Sequence, residues 1–524
     1  MNAVWNDFQR ACIGIVLTFV GWCLEFLFWF RVLRFRSSQG SLRRELKLDA
    51  LTPASRFGPE VQERLKNTFE SLRRSGDEPV WAETSGSTRE PKRLVYTRSR
   101  LKLSHLLFFD SYTRIFTRLK IQRRSFFIFA SIRPDRSLTS LLLTEGRIPP
   151  RLVCLQTPYR VLAHPEVREL ADRYGDTALR LWILSVSNPG MVYATNPSTL
   201  AAFLDGLNGD RERSLKLCKD WVERPEIFSR ALHRIYRRIE SRGAFGRVCE
   251  LARSTHKSVK ELLADGLPGL SVISSWDGGY VRPFLERVQA NINARFVPLY
   301  SMSTETVETQ AAVVGGRIHF LPIVPGVLME FTSESSDQII LPSQLEIGSE
   351  YSLVVSDRYG LLRYQTDDLF ECVGFVRGLP DLRFKRRAGL AYSFTGEKIT
   401  GEQVSRAIEK LRATLGREGP SFSLFPRVAE IPHYELISTG PANSGIFDPT
   451  LCAQLLSVFE SELFAQNLEF KAKRESGRLG PTTLRAVSIE EFAAQVSKKS
   501  EVGGWESQFK FLPLYTREFS GRVL

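Results

Sequence analysis

The chain has 524 residues, of which 43% are hydrophobic and 25% are charged, and this ordinary globular composition excludes a largely disordered protein. Its length favours two domains, or one large domain with a small one. The 72 basic and 58 acidic side chains give a net charge of +14, but the arginines are scattered and form no basic block with interleaved aromatic residues. We therefore expect no nucleic-acid partner and attribute the positive charge to surface solvation with some attraction to membranes.

The cysteines and histidines carry no pattern of a disulfide framework or a metal site. The seven cysteines are far apart and form no CxxC pair. This spacing argues against a zinc ribbon or a disulfide framework and is typical of a protein in a reducing compartment. The six histidines are equally dispersed and include no HExxH sequence. No metal site built from protein side chains alone is therefore predicted.

The first predicted element is an apolar run at residues 11–30, which has about the length that spans a membrane. Arg10 precedes the run and several arginines follow it, so the positive-inside rule places the rest of the chain in the cytoplasm. No small-residue cleavage site follows, which favours a retained anchor over a removed signal peptide. Glu25 is costly inside a bilayer, so an interfacial helix and a buried helix of a cytoplasmic protein remain alternatives. We expect residues 1–36 to anchor the chain to the cytoplasmic face of a membrane.

Residues 84–92, TSGSTREPK, concentrate hydroxyl side chains around one glycine and end on Lys92. Thr and Ser side chains compete for nearby backbone groups, so the segment predicts a loop rather than a helix or a strand. Backbone N–H groups, hydroxyls and an ammonium can converge there on one phosphate. The second glycine of the G-x-x-x-x-G-K-[ST] loop is missing, and no Ser or Thr follows the lysine. Taken alone, the segment is either a phosphate-binding loop or a polar surface turn.

Short apolar strands alternate with helical patterns through the middle of the chain, which predicts an α/β fold. Residues 60–74 predict an amphipathic helix, and residues 125–131 and 270–275 predict short buried strands. The second of these strands ends at residues 276–279, WDGG, where the backbone can approach a ligand closely. A helix with an apolar face is predicted to start near Pro197.

The character of the chain changes between residues 363 and 398. RYQTDDLFECVGF at 363–375 places Asp367 and Asp368 between a strand and another apolar run, and a basic cluster at residues 385–387 follows. From about residue 391 helices and strands alternate again in a shorter unit. We therefore predict a large domain over residues 37–390 and a small domain over residues 391–524.

Taken in order, these segments resemble the adenylate-forming enzymes, and among them the acyl-acid amido synthetases known in plants as auxin-responsive proteins, which have bacterial relatives. TSGSTREPK is similar to the Ser/Thr/Gly phosphate loop of that superfamily, and SSWDGGY at 274–280 to its Trp-x-Gly-Gly segment beside the adenine. STE at 303–305 resembles the motif whose acid reaches the metal held by ATP. RYQTDDLFECVGF is similar to the segment that places an aspartate, here Asp368, on the ribose hydroxyls.

The resemblance continues to the end of the chain and covers roughly residues 80–515. FKRR at 384–387 is similar to the basic hinge of the family, and GEK with a following QV at 396–404 to the opening of the small domain. SQFK-FLP at 507–513 resembles the ending that brings a lysine, here Lys510, onto the forming acyl phosphate.

The resemblance implies a large adenylate-forming N-terminal domain, a smaller mobile α+β C-terminal domain and a ligase that uses ATP and Mg²⁺. Such an enzyme couples a small carboxylic acid to AMP, releases pyrophosphate and passes the acyl group to an amine, for which an amino acid is the expected acceptor. The catalytic residues implied are Lys510, Glu305 and Lys92. The ATP-binding residues implied are Thr84, Ser85, Gly86, Ser87, Thr88, Trp276, Gly278, Gly279, Ser303, Thr304, Asp368 and Arg387. Glu305 is also the implied acid for a Mg²⁺ held through the ATP phosphates, an arrangement that this ion commonly adopts.

Two departures from the family pattern keep other functions open. Arg89 stands where the loop usually has glycine, and Asp367 replaces the glycine before the ribose acid. Both favour a degenerate member that binds nucleotide or a partner at the membrane without turnover. An acyl-activating enzyme with a thiol acceptor, such as coenzyme A or a carrier protein, is the other alternative. Residues 367–368 as a solvated turn, and Glu305 and Lys510 as surface side chains, remain the simpler interpretations of those positions. The sequence selects neither the acid, nor the acceptor, nor the oligomeric state.

Overall fold

A computed structural model describes most of the chain. The residues described are 2–48, 54–83, 92–121, 126–129, 138, 141–142, 161–162, 164–195, 197–255, 257–278, 282–333, 336–387, 391–392, 394, 397, 399–415, 420–439, 448–496 and 512–516. Within them helices and strands alternate, which confirms the predicted α/β class.

The helices have the following bounds: α1 (Asn2–Glu45), α2 (Pro59–Arg74), α3 (Arg98–Arg118), α4 (Pro165–Tyr174), α5 (Asp176–Ser187), α6 (Pro197–Gly209), α7 (Arg211–Glu223), α8 (Arg230–Ile239), α9 (Ala244–Arg253), α10 (Val259–Gly266), α11 (Arg282–Asn291), α12 (Gly401–Leu415), α13 (Pro449–Gln466), α14 (Leu468–Glu475) and α15 (Ile489–Val496). Several ends follow local sequence signals. Thr97 caps α3 by accepting a hydrogen bond from the Arg100 amide, and Ser258 forms a capping box with Glu261 at the start of α10.

The strands have the following bounds: β1 (Val80–Glu83), β2 (Arg93–Tyr96), β3 (Phe126–Ile128), β4 (Met191–Tyr193), β5 (Val272–Ser274), β6 (Arg295–Phe296), β7 (Tyr300–Met302), β8 (Val307–Val314), β9 (Arg317–Leu321), β10 (Val327–Ser333), β11 (Ser336–Ile340), β12 (Glu350–Asp357), β13 (Tyr364–Val376), β14 (Leu379–Arg387), β15 (Ala391–Tyr392), β16 (Ile399–Thr400), β17 (Ser421–Arg427), β18 (His433–Thr439) and β19 (Thr483–Val487).

A parallel sheet in the order β3-β4-β5-β6 carries the first part of the body. The two central strands, β4 and β5, are buried along their length, as expected for a parallel sheet that is covered on both faces. The fully buried Trp182 of α5 belongs to the core cluster that packs against this sheet. The carboxyl ends of β4 and β5 lie at one edge, where open α/β sheets bind their ligands, and β5 runs directly into the Trp276 loop.

Antiparallel sheets form the second part of the body. One has the order β11-β10-β12-β13-β14 and another the order β7-β8-β9. The pairing of β12 with β13 shifts register between Ser352 and Val354, because Val354 faces Gln365 whereas Ser352 faces Leu369. Residues 366–368 therefore form a bulge opposite Leu353, and bulges of this kind redirect side chains beside functional sites.

The last part of the chain forms a three-stranded sheet in the order β17-β18-β19. The first pair of strands is antiparallel and the second is parallel. Helices α12 and α13 cover the sheet, and Leu411, Leu436 and Phe459 are buried in the core that they share. The boundary near residue 390 stays a prediction.

Helix α1 packs along the body through a buried carboxylate. Glu25 is 7% exposed, and its carboxylate lies 3.6 Å from Arg114 Nη1 and 3.5 Å from Arg118 Nε, both on α3. Trp29 Nε1 donates a hydrogen bond of 2.9 Å to the same carboxylate. Glu25, whose charge would be costly inside a bilayer, is therefore paired with arginine side chains of α3.

Two further ion pairs fix the later part of α1. Arg31 Nη2 lies 2.8 Å from Asp110 Oδ2 of α3, and Arg43 Nη2 lies 2.8 Å from Glu330 Oε1 of β10. Because these contacts continue beyond the apolar run, the helix extends to Glu45, nine residues past the predicted end of the anchor at residue 36.

Candidate functional site

Three side chains from distant parts of the sequence meet at the centre of the body. Lys92 stands directly before β2, Glu305 lies in the turn between β7 and β8, and Tyr364 opens β13. Lys92 Nζ donates a hydrogen bond of 2.6 Å to Tyr364 Oη and lies 3.6 Å from Glu305 Oε1. Lys92 is 8% exposed and Glu305 is 2% exposed, so the interpretation of Glu305 as a surface acid is wrong. Together they form a buried cationic and anionic pair at the end of the predicted phosphate loop.

The turn that carries Glu305 is held by its backbone. Tyr96 Oη donates a hydrogen bond of 2.8 Å to the Thr304 carbonyl, and Arg100 Nη2 donates one of 2.7 Å to the Glu305 carbonyl. Within the turn the Ser303 amide donates a hydrogen bond of 2.9 Å to the Thr306 carbonyl. The position of the Glu305 carboxylate is therefore set by residues of β2 and α3.

The surroundings of Tyr96 and Arg100 keep both side chains protonated, so that each can donate its hydrogen bond. Burial raises the pKa of Tyr96 to about 12, with the carboxylates of Asp357 and Glu305 adding to the effect and Arg100 opposing it. Burial lowers the pKa of Arg100, but Tyr96, Asp357, Tyr359 and Glu305 outweigh it and leave that pKa raised. At neutral pH Tyr96 is thus an uncharged phenol and Arg100 a cation, which pairs with Asp357 at 3.0 Å.

Glu305 carries a carboxylate that could hold a cation. Its Oε1 atom, which lies 3.6 Å from Lys92 Nζ, is buried and has no hydrogen-bond partner in the part of the chain that the structure describes. Mg²⁺ prefers carboxylate oxygens and commonly completes its shell with water and substrate phosphates. Among the described residues no group of three or more His, Cys, Asp or Glu side chains is arranged to hold a metal. The donor set therefore fits a Mg²⁺ that is shared with a phosphate-bearing substrate.

The Trp276 loop packs against β14. The rings of Trp276 and Phe384 lie 4.5 Å apart at 60°. A Cβ atom on Gly278 would lie 2.8 Å from Phe384 Cβ and 3.1 Å from the Phe384 carbonyl oxygen. The absence of a side chain at Gly278 is thus required by this contact within the protein, whether or not a ligand also approaches the loop.

Asp368 lies inside strand β13 at the bulge. Thr366 Oγ1 donates a hydrogen bond of 3.0 Å to the Leu353 carbonyl and accepts one of 3.2 Å from the Asp368 amide. Asp368 is 8% exposed and faces Arg387 of β14 in the strand register. The interpretation of this aspartate as part of a solvated turn is therefore wrong.

The remaining predicted positions are placed only in part. Ser303 and Thr304 lie in the Glu305 turn, whereas Trp276 and Gly278 lie at the end of the parallel sheet. Outside the described residues are Thr84, Ser85, Gly86, Ser87, Thr88, Arg89, Gly279 and Lys510. For Arg387 and Asp367 the structure describes the backbone alone. Nucleotide binding by all these residues stays a prediction.

Sequence reasoning did not identify Tyr364, Tyr96 and Arg100 as parts of the site. Tyr364 stands within the RYQTDD segment, and this motif is the sequence signal that could have indicated it as a site residue. Arg100 contacts the Glu305 carbonyl across 205 positions of the chain, and nothing in the local sequence of α3 marks it.

Comparisons with known proteins identify related domains in the later part of the chain. Residues 320–387 match the GH3 family central domain, and residues 402–518 match the GH3 family C-terminal domain. Indole-3-acetic acid-amido synthetase GH3.8 of Oryza sativa subsp. indica is 29% identical over 206 residues, which are 37% of this chain and 33% of that protein. Indole-3-acetic acid-amido synthetase GH3.3 of Arabidopsis thaliana is 25% identical over 191 residues, which are 34% of this chain and 31% of that protein. The chain thus spans about a third of the length of these curated relatives.

Solved structures share the fold over a longer stretch. The GH3.15 acyl acid amido synthetase superposes with a TM-score of 0.65 and 15% identity, covering 86% of this chain and 84% of that one. AtGH3.15 acyl acid amido synthetase in complex with 2,4-DB gives a TM-score of 0.61 and 14% identity with the same coverage. These likenesses show that the chain shares the fold of these synthetases over most of its length, in agreement with the predicted α/β class.

Proposed function

We propose that the chain is a member of the GH3 family and acts as an ATP-dependent ligase that adenylates a carboxylic acid and passes the acyl group to the amine of an amino acid. The observation that carries the proposal is the buried cluster of Lys92, Glu305 and Tyr364 at the end of the hydroxyl-rich loop. A lysine and a carboxylate held together out of water suit a substrate that brings both phosphates and a divalent cation.

The first half-reaction needs positioning and charge neutralisation rather than protein nucleophiles. A carboxylate oxygen of the acid attacks the α-phosphorus of ATP, the bond to the bridging oxygen breaks, and pyrophosphate leaves with the electron pair. Lys92 balances phosphate charge, and its hydrogen bond to Tyr364 orients the ammonium. Glu305 would hold a Mg²⁺ ion, which would supply further neutralisation of the phosphate charge. Asp368 accepts hydrogen bonds from the ribose hydroxyls.

In the second half-reaction the acyl-adenylate reacts with an amine. The amine nitrogen attacks the acyl carbon, AMP leaves, and the ammonium proton is lost to water or to a nearby base.

Lys510, carried by the small domain, acts in the first half-reaction, where it neutralises the charge that develops in the adenylation transition state. Movement of that domain between the two steps lets one site serve both.

The proposal is tested by measuring pyrophosphate release from the full chain with a panel of carboxylic acids. Release is expected to depend on both the acid and Mg²⁺, and Lys510→Ala is expected to lower it by at least about a hundredfold, since charge stabilisation of this kind is worth several kcal/mol. Lys471→Ala is the matched control, because Lys471 is an exposed lysine of α14. Acid-independent ATP hydrolysis alone, or a Lys510→Ala variant as active as the control, would contradict the proposal.

Product analysis separates the acceptors. With a mixture of amino acids we expect a product whose mass equals acid plus amino acid minus water and which survives neutral hydroxylamine. A product cleaved by hydroxylamine would instead assign a thiol acceptor. ATP binding without any acid-dependent pyrophosphate release would assign the degenerate function that Arg89 and Asp367 favour.

A further inference from the structure

We propose that α1 is an in-plane membrane helix, which stays packed on the protein body while its outer face inserts into the surface layer of an anionic bilayer. The observations that carry this inference are the two-sided chemistry of the helix, its ion pairs with the body, and the side chains that extend its outer face. None of them depends on the proposed ligase activity.

The outer face of α1 is an exposed apolar stripe. It consists of Val4, Trp5, Phe8, Ile15, Val16, Phe19, Trp22, Phe26, Leu27, Phe30 and Leu33, each more than half exposed. Phe19 and Phe26 are 72% and 75% exposed. Between residues 11 and 30 the one charged residue is Glu25, which lies on the buried side. At 1.5 Å per residue the stripe is about 45 Å long. An apolar surface of this length marks an interaction site.

The docked face argues for an in-plane orientation over a membrane span. Glu25 and Arg31 pair with residues of α3, and Arg43 pairs with Glu330 of β10. These three attachments lie between Glu25 and Arg43, in the second half of the helix, and a span over residues 11–30 would pull Glu25 away from its buried partners into lipid. A helix that keeps them presents its stripe sideways, as interfacial amphipathic helices do.

Two hairpin tips lie beside the helix. Val314, next to the β8–β9 turn, is 40% exposed, and Phe375, near the β13–β14 turn, is 39% exposed. Together with Trp29 they line a cleft of about 570 Å³. The apolar surface therefore continues from α1 onto the body. A bilayer would cover such a broad surface, whereas a single partner helix in a narrow groove would not need it.

Cationic groups border the same surface. The Arg118 guanidinium carbon lies 5.7 Å from the centre of the Trp22 ring, and that of Arg377 lies 4.1 Å from the centre of the Trp29 ring. Both arginines and His319 line the cleft. Anionic headgroups are the complementary partner for cations at the edge of an aromatic stripe, and the net charge of +14 adds to the attraction.

The test is co-sedimentation of the full chain with vesicles of phosphatidylcholine, with or without about one-third phosphatidylglycerol. Binding is expected to require the anionic lipid and to be reversed by alkaline carbonate. The double variant Phe19→Glu/Phe26→Glu is expected to weaken binding at least tenfold, and Arg377→Gln about fivefold, which corresponds to about 1 kcal/mol for one basic residue near the surface. Leu468→Glu and Lys471→Gln on α14 are matched controls and should bind within twofold of the wild type.

Three outcomes would overturn the inference. Equal binding of the Phe19→Glu/Phe26→Glu variant and the wild type would show that the stripe does not enter the bilayer. Carbonate-resistant membrane association would assign a span in place of an in-plane helix. Absence of vesicle binding, together with a dimer that the double variant disrupts, would assign the stripe to a second copy of the chain.

Discussion

Lys92 is buried between an acceptor hydroxyl and a carboxylate, and the orientation of its ammonium depends on both. Tyr364→Phe removes the hydroxyl that accepts the hydrogen bond of 2.6 Å and leaves the ring in place. Hydrogen bonds to charged groups are worth about 1.5–3 kcal/mol, so we expect kcat/KM for ATP in acid-dependent pyrophosphate exchange to fall about 10- to 100-fold. Tyr351→Phe, in the neighbouring strand β12, is the control. A loss below twofold would show that the hydroxyl does not position Lys92.

Glu460 provides a pH-dependent contribution to stability in the small domain. Its carboxylate accepts hydrogen bonds of 2.9 and 3.1 Å from Arg474 and of 2.9 and 2.7 Å from the amide and hydroxyl of Thr482. Burial alone would raise the pKa of Glu460, but these partners outweigh it and lower that pKa. A lowered folded-state pKa means that the stabilisation is present above the unfolded value, about 4.3, and is lost as the pH falls through the folded value.

Glu460→Gln is therefore expected to lower the free energy of unfolding by about 1–3 kcal/mol at pH 7. The difference from the wild type should shrink as the pH falls below about 4. Urea unfolding at several pH values measures both effects, with the exposed Glu469→Gln of α14 as the control. A difference that grows on acidification would contradict the assignment.

At this scale the sequence identified residues that stand in a motif and missed those that act through contacts. Lys92, Glu305 and Asp368 each belong to a short pattern with a chemical reason behind it. Tyr96 and Arg100 hold the Glu305 turn through its backbone carbonyls, and the contacts cross more than 200 positions of the chain. Only tertiary structure brings such pairs together, so no local pattern indicates them.

Among the elements, the Trp276 loop depends on its close approach to β14. Gly278→Ala would place a Cβ atom 2.8 Å from Phe384 Cβ, and overpacking of this kind costs about 1–3 kcal/mol. We expect a lower midpoint of thermal unfolding, because Phe384 is 8% exposed and has little room to move. Gly374→Ala is the matched control in β13, since nothing lies within 4 Å of its added Cβ atom. Equal destabilisation by both substitutions would contradict the packing argument.

Elements with a clear periodic pattern were predicted closely. The helix predicted over residues 60–74 is α2 (Pro59–Arg74), and the strand predicted over 270–275 is β5 (Val272–Ser274). The end of α1 was missed, because residues 37–45 are polar and lack an apolar period. They remain helical where side chains such as Arg43 bind the β-sheet. Tertiary contacts, rather than local sequence, set that boundary.

In the whole molecule α1 is linked to the neighbourhood of the site by one chain of ion pairs. Arg43 binds Glu330, which is 1% exposed, and Glu330 also binds Arg363 at 2.9 Å. Arg363 has a left-handed backbone conformation with φ of 41° and directly precedes Tyr364. The helix that we place at the membrane thus contributes to fixing the strand end that carries a site residue.

We propose that the molecule as a whole is a nucleotide-binding ligase, and equilibrium binding of Mg-ATP to the full chain tests this most directly. We predict binding by the wild type and an increase in Kd of about 10- to 100-fold for Asp368→Ala, since a carboxylate that accepts ribose hydroxyls contributes about 1.5–3 kcal/mol. Glu371→Ala removes a carboxylate from the same strand and should leave Kd within twofold. Equal Kd values for the two variants, or no binding by the wild type, would contradict the account.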